Sequence, residues 1–289
     1  MLHVATSILP VPNRYHAGSA GKWVFTFWAG GFAFLALPYC IYRLRRHGDS
    51  VALWAWAGGW IVSLGEPMLD TIGHLWWPHN LPGPAFKIYN LNVPLLIPPC
   101  YVFFVAMTGY FAYRMFLRGV TTRQVFYVWL GIASTDLALE LPGTSVHVYK
   151  YYGSQPFDVA GFPMHWAWMN GTGFLGVGLM LFLLSKLKGR NRIVLILAPT
   201  LGFLGAYGMT TWPAFISLNG GLSRFMMHVV DLGSLALSLI LVRLIAALVA
   251  TDAPPLRLGG AGVAEPEPAR ATNGSGAVEH EAPVPAGVG

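Results

Sequence analysis

Charge is what this chain has least of. Lys, Arg, Asp and Glu make up 10% of its 289 residues, against about 25% in an ordinary soluble domain. Hydrophobic residues reach 55% and the mean hydropathy is +0.53. Such a composition cannot clothe a water-facing exterior, and it excludes every class but a multi-span membrane protein. Cysteine is nearly absent. Cys40 and Cys100 fall in separate apolar runs, which excludes a disulfide framework and offers no metal spacing, so both read as packing residues. No H-x-x-H or H-x-x-x-H pair occurs, the spacings that put two histidine ligands on one helix face. The last apolar run has no lysine, which excludes a retinal Schiff base there. Residues 1–21 hold Pro10, Pro12 and His16 but no apolar core, so no cleavable signal is expected.

Long apolar runs are what the chain does have. They fall at about 22–42, 51–75, 93–117, 124–142, 163–185, 193–213 and 222–250, each long enough to cross a bilayer. The expected fold is an all-α bundle of seven transmembrane helices. Thirteen of the 18 basic residues, among them Arg43, Arg114, Lys186 and Arg243, fall on one side of this alternation and five on the other. By the positive-inside rule the amino terminus lies outside and the carboxyl terminus in the cytoplasm. The net charge of +6 is thereby accounted for without a nucleic-acid partner. The expected organisation is an outer segment 1–21, a seven-helix domain 22–250 and a tail 251–289, in a multi-pass protein of the cell membrane.

The loops differ in character. Those at 76–92 and 143–162 are rich in Trp, Tyr, Pro and Gly, and Trp76, Trp77, Tyr149, Tyr151 and Tyr152 suit an interfacial aromatic belt. Residues 251–289 turn abruptly to Pro, Gly, Ala and Glu, a composition that cannot bury enough surface to fold. Asn273-Gly274-Ser275 spells a glycosylation sequon, but a cytoplasmic tail never meets that machinery. Gly171-Thr172-Gly173-Phe174-Leu175-Gly176 spells a dinucleotide fingerprint. That motif requires a preceding strand. Inside an apolar helix it reads instead as small residues that let neighbouring helices approach.

The acids are where a membrane protein rarely puts them. Glu66, Asp70, Asp136, Glu140 and Asp231 all lie within apolar runs, where ionisable groups are costly and mark functional sites by default. Glu66, Asp70 and His74 recur at spacings of four, on one side of a helix. Pro67 has no N–H to give the Ser63 carbonyl, so a bend is expected one turn before Glu66. If the helices alternate, all five acids lie in the outer half, Asp231 roughly 13 Å below the outer end of its helix. His165, Trp166, Trp168 and Asn170 open the fifth helix at that level, His228 stands one turn above Asp231, and Tyr101, Phe103 and Phe104 follow Pro98-Pro99. The expected site is an outward pocket with acidic groups and aromatic walls, Glu66 and Asp231 its catalytic members. Asp70, His74, Asp136, Glu140, His165, Trp166, His228 and Tyr101 are its supporting residues. The alternative for Asp136 and Glu140 is a structural role at a helix end. For His74 and His228 it is pairing with a nearby carboxylate.

A carboxylic acid desolvated in apolar surroundings keeps its proton. Such a group can protonate an alkene or an epoxide, aromatic faces can stabilise the resulting cation, and a second carboxylate or a histidine can remove the last proton. Here the chain resembles the small integral-membrane terpene cyclases of fungal meroterpenoid and bacterial indole-terpenoid pathways. These are seven-helix proteins that depend on a glutamate in the second helix and an aspartate in the last. Glu66 in Leu64-Gly65-Glu66-Pro67 and Asp231 in His228-Val229-Val230-Asp231 stand in those places. The resemblance implies an isomerase or lyase acting on a lipophilic isoprenoid or prenylated small molecule drawn from membrane lipid, with no cofactor and no metal. It spans 22–250 as topology but rests on those two segments. Asp136, Glu140 and the tail have no counterpart in it. Two other classes stay open: a metal-dependent hydroxylase or hydrolase using His74, His165, His228 and the acids, and a proton-coupled transporter.

Overall fold

The structure is a computed structural model that describes residues 11–88 and 91–253. The sequon and the tail from residue 254, expected to be disordered, lie outside the described residues. The chain is mostly helical, as α1 (Ser19–His47), α2 (Val51–Val62), α3 (Glu66–Gly73), α4 (Ile97–Cys100), α5 (Thr108–Leu117), α6 (Thr122–Ser145), α7 (His165–Leu184), α8 (Ala198–Thr210), α9 (Trp212–Asn219) and α10 (Arg224–Val249). A π-helical turn, Tyr101–Met107, joins α4 to α5, and a 3₁₀ segment, Gly189–Leu197, runs into α8. Six continuous helical stretches among the described residues are long and apolar enough to cross a membrane: α1, Ile97–Leu117, α6, α7, Gly189–Thr210 and α10.

The run at 51–75 is not one helix. It breaks at a 3₁₀ turn, Ser63–Gly65, and restarts as α3 with Pro67 in its first turn. Proline is welcome there because the first N–H groups of a helix have no partner anyway. The break falls where the sequence places it, and it makes Glu66 the first residue of the new helix.

At the bundle's centre, α7 packs against α5, α6, α8 and α10. Its glycines permit this. A Cβ at Gly176 would sit 2.6 Å from the Gly202 carbonyl oxygen of α8, and one at Gly173 would sit 2.7 Å from the Phe203 ring. The G-x-G-x-x-G spelling therefore serves close helix approach. α6 opens with a reciprocal capping box: the Thr121 hydroxyl accepts from the Gln124 amide, and the Gln124 side chain accepts from the Thr121 amide.

Contacts sort the helix ends into two groups. At one end, the Ala17 amide donates to Asn80, the strand Leu75–Trp76 pairs with Lys150–Tyr151, and His74 meets Asn219. At the other, Asp49 binds Arg43 and Arg114, and the Thr251 amide donates to the Val120 carbonyl. The expectation of a purely α fold needs one amendment. The loops at the first end carry three two-stranded antiparallel ladders, β1–β4 (Leu75–Trp76 with Lys150–Tyr151), β2–β3 (Phe86–Ile88 with Leu91–Val93) and β5–β6 (Asp158–Val159 with Phe162–Pro163). Loops folded over a bundle bury backbone polar groups, which must find partners.

Asp252 accepts hydrogen bonds from the Thr122 amide at 2.7 Å and its hydroxyl at 3.1 Å, and the first of these holds its carboxyl below the usual range. Among the described residues, Asp252 is thus the last one held by a side-chain hydrogen bond. Deleting 254–289 should leave insertion and activity at the level of the full chain, measured in isolated membranes. A correctly inserted but inactive truncation would show that the tail contributes to the site.

Candidate functional site

Glu66, at the start of α3, directs its carboxyl into a cavity of about 120 Å³ enclosed by α3, α4, the π turn, α6, α7 and α8. The Tyr101 hydroxyl, first in the π turn, donates to Glu66 Oε2. Asp70, one helical turn on, is in hydrogen-bond contact with Glu66, and its Oδ2 accepts from Trp77 Nε1 at 2.8 Å. Two carboxyls that touch hold one proton between them rather than carry two charges. Both are buried, 9% and 3% exposed.

A third carboxyl faces the same space. Glu140, one turn before the end of α6, lines the cavity; its Oε2 lies 3.4 Å from the Tyr151 hydroxyl, and its main-chain carbonyl accepts from Tyr149 at 3.1 Å. Asp136 stands one turn below and does not line the cavity. It accepts two hydrogen bonds from Asn170 Nδ2, at 3.0 and 3.1 Å, while Asn170 Oδ1 accepts from the Tyr207 hydroxyl. Asp136 thus orients Asn170 and Tyr207, which do reach the cavity.

Aromatic residues supply ten of the 21 residues in the wall, and ring faces are groups that can stabilise a cation. Trp166 lies near-parallel to both Tyr151 and Tyr207, with centroids 5.9 and 6.2 Å away. Its indole reaches α3 only because position 73 is glycine: a Cβ there would lie 2.4 Å from the ring. Phe104 meets Phe174 edge-on at 4.8 Å.

Some expected members are elsewhere. Asp231 does not line the cavity; it is wholly buried with its Oδ2 3.3 Å from Nδ1 of His165, also wholly buried. The contact is close but not aligned as a hydrogen bond, and neither side chain has another polar partner among the described residues. The idea that Glu66 and Asp231 share one pocket is therefore corrected. On α7 the cavity-facing position goes to Trp166, which leaves its neighbour His165 to meet α10. His228 does not pair with Asp231 either; its Nδ1 accepts from the Phe157 amide at 3.2 Å and its ring packs on Phe157. His74 ends α3 in the left-handed conformation and pairs with the Asn219 amide side chain at 3.0 Å, not with a carboxylate. Trp76, Trp77, Tyr149 and Tyr151 are 6–8% exposed and belong to no surface belt, because the β1–β4 pairing folds their loops over the cavity. Among the described residues, no group of three or more His, Cys, Asp or Glu side chains is placed to hold a metal ion.

Sequence reasoning put Asn170 at the level of the acids without counting it among the site residues, and missed Trp77, Tyr149, Tyr151 and Tyr207 as wall residues. Only Asn170, a neutral polar residue in an apolar run, carries a usable signal. No protein-family model, curated protein or solved structure matches the chain.

Proposed function

We propose that the chain is a membrane enzyme that protonates an olefin or epoxide of an isoprenoid substrate and guides the cation through cyclisation, a terpene cyclase. The observation that carries this reading is the contacting carboxyl pair Glu66–Asp70, buried and facing an aromatic-walled cavity. In the proposed reaction Glu66 gives its proton to the alkene carbon or epoxide oxygen, and Asp70 and Tyr101 hold the carboxyl in place. The cation closes its ring against Trp166, Tyr207 and Phe174, then loses a proton to Glu140. The proton then returns from Glu140 to Glu66 across the cavity that both line, which resets the enzyme, so the net change is an isomerisation that needs no co-reactant. Asp231, outside the cavity, has a structural role: its contact with His165 ties α10 to α7.

The test is incubation of membranes containing the protein with a panel of prenylated phenols, indoles and their epoxides, read by mass spectrometry. Isomeric products of unchanged mass with altered retention are expected. Products carrying added oxygen, or none from any substrate, would remove the reading.

The same proposal includes seven crossings, Val51–Gly73 making the broken one, with the amino terminus outside. Its 23 residues would reach about 34 Å, and the two groups of contacting helix ends alternate as seven crossings require. Reporter fusions at Gly119 and Gly153 should then report cytoplasm and exterior respectively. Both on one side would end the seven-crossing arrangement.

A further inference from the structure

At the helix ends opposite the loops that cover the cavity, positive charge gathers around one acid. Arg43 near the end of α1 and Arg114 of α5 both reach Asp49 Oδ2, at 3.0 and 3.3 Å. The Tyr110 hydroxyl donates to the same oxygen at 2.7 Å, and the Val51 amide donates to Oδ1 at 3.1 Å. Asp49 thus takes four donors, which fills the acceptor sites of a carboxylate.

A third arginine arrives from a third element. Arg192 lies in the segment Gly189–Leu197, which packs against α2. It is near enough to Tyr113 for its charge to act on the phenol, as Arg43 and Asp49 also do. Tyr113 and Tyr110 have ring centroids 5.8 Å apart.

These three arginines differ from the other basic residues around them. Arg45, Arg118, Lys188 and Arg190 are exposed, as the positive-inside rule expects of charges held in water. Arg43, Arg114 and Arg192 each have a buried Nε with no hydrogen-bond partner among the described residues. A buried donor left unpaired carries its full desolvation cost, and a charged one carries more. Asp49 has no acceptor site left to relieve it. Three guanidinium groups facing one carboxylate also leave an excess of positive charge. A phosphomonoester matches both deficits. It carries about −1.5 to −2 charges at pH 7 and presents three strong acceptor oxygens, and guanidinium forks suit it in geometry.

We infer that Arg43, Arg114 and Arg192 form a binding site for a phosphomonoester, supplied by a lipid headgroup of the phosphatidic acid kind or by free phosphate. The site stands apart from the cavity and does not depend on the reaction there.

The full chain in detergent is titrated calorimetrically with dioctanoyl phosphatidic acid, dioctanoyl phosphatidylcholine and inorganic phosphate. Saturable binding of phosphatidic acid and none of phosphatidylcholine is expected. Tighter binding of phosphatidic acid than of inorganic phosphate assigns the site to a lipid headgroup; equal binding of the two assigns it to soluble phosphate. Arg192→Gln removes a fork but no contact to Asp49, so the protein should fold and bind about tenfold more weakly. Arg114→Gln leaves Asp49 its bond from Arg43 and should weaken binding similarly. Arg190→Gln removes an exposed charge of the same segment and should bind as the wild type does. Equal binding of the two lipids, no binding of either phosphomonoester, unchanged binding in both Arg114→Gln and Arg192→Gln, or an equal loss in Arg190→Gln overturns the site.

Discussion

Replacing Glu66 with Gln should lower product formation by about 10²–10⁴, the range for a general acid, while the protein accumulates and inserts as before. Glutamine has the shape of the acid and can still accept the Tyr101 hydroxyl, so the carboxyl's neighbours keep their partners. What it lacks is the transferable proton. Asp70→Asn retains the bond from Trp77 Nε1 and changes only the group that shares the proton, so its loss should be smaller. Asp136→Asn should be smaller again, since Asp136 meets Asn170 and not the cavity. The measurement is turnover per folded molecule on the substrate that the panel identifies. Near-normal turnover in Glu66→Gln would leave the cation without an initiator.

The acids could be found in the sequence because each breaks a rule at its own position. A carboxylate in an apolar run carries a desolvation cost whatever surrounds it, and Glu66 and Asp70 at a spacing of four must share a side of the helix. The break at Ser63–Gly65 was equally local, since Pro67 lacks an N–H regardless of the tertiary fold. The aromatic wall was not local. Tyr149 and Tyr151 look the same in composition whether they sit at a lipid interface or over a cavity; only the pairing of Leu75–Trp76 with Lys150–Tyr151 turns them inward. Spacing also shows a residue only its neighbours on the same helix. His228, one turn from Asp231, was the visible partner, and His165 on another helix is the one Asp231 meets. Nor does sequence reveal a helix pair that fails to pack: α5 and α6 both pack against α7 but scarcely touch one another, and the apolar runs carry no trace of it.

Asp231 separates the resemblance from the geometry most sharply. Removing one partner of a buried polar contact costs about 1–3 kcal/mol, because the other is left without a partner in a place water cannot reach. Asp231→Val should therefore unfold at markedly lower temperature in detergent, and its product should fall only as the folded fraction falls. Replacing both partners by apolar groups removes the stranded polar atom along with the contact, which is often neutral or stabilising. The double variant His165→Leu, Asp231→Val should accordingly recover most of the lost stability and, with α7 again packed against α10, most of the activity. A carboxylate that touches the cation predicts otherwise: the double variant would fold and still make no product. That result would return Asp231 to the reacting centre and require the bound state to open a path from the cavity, past Trp166, to α10.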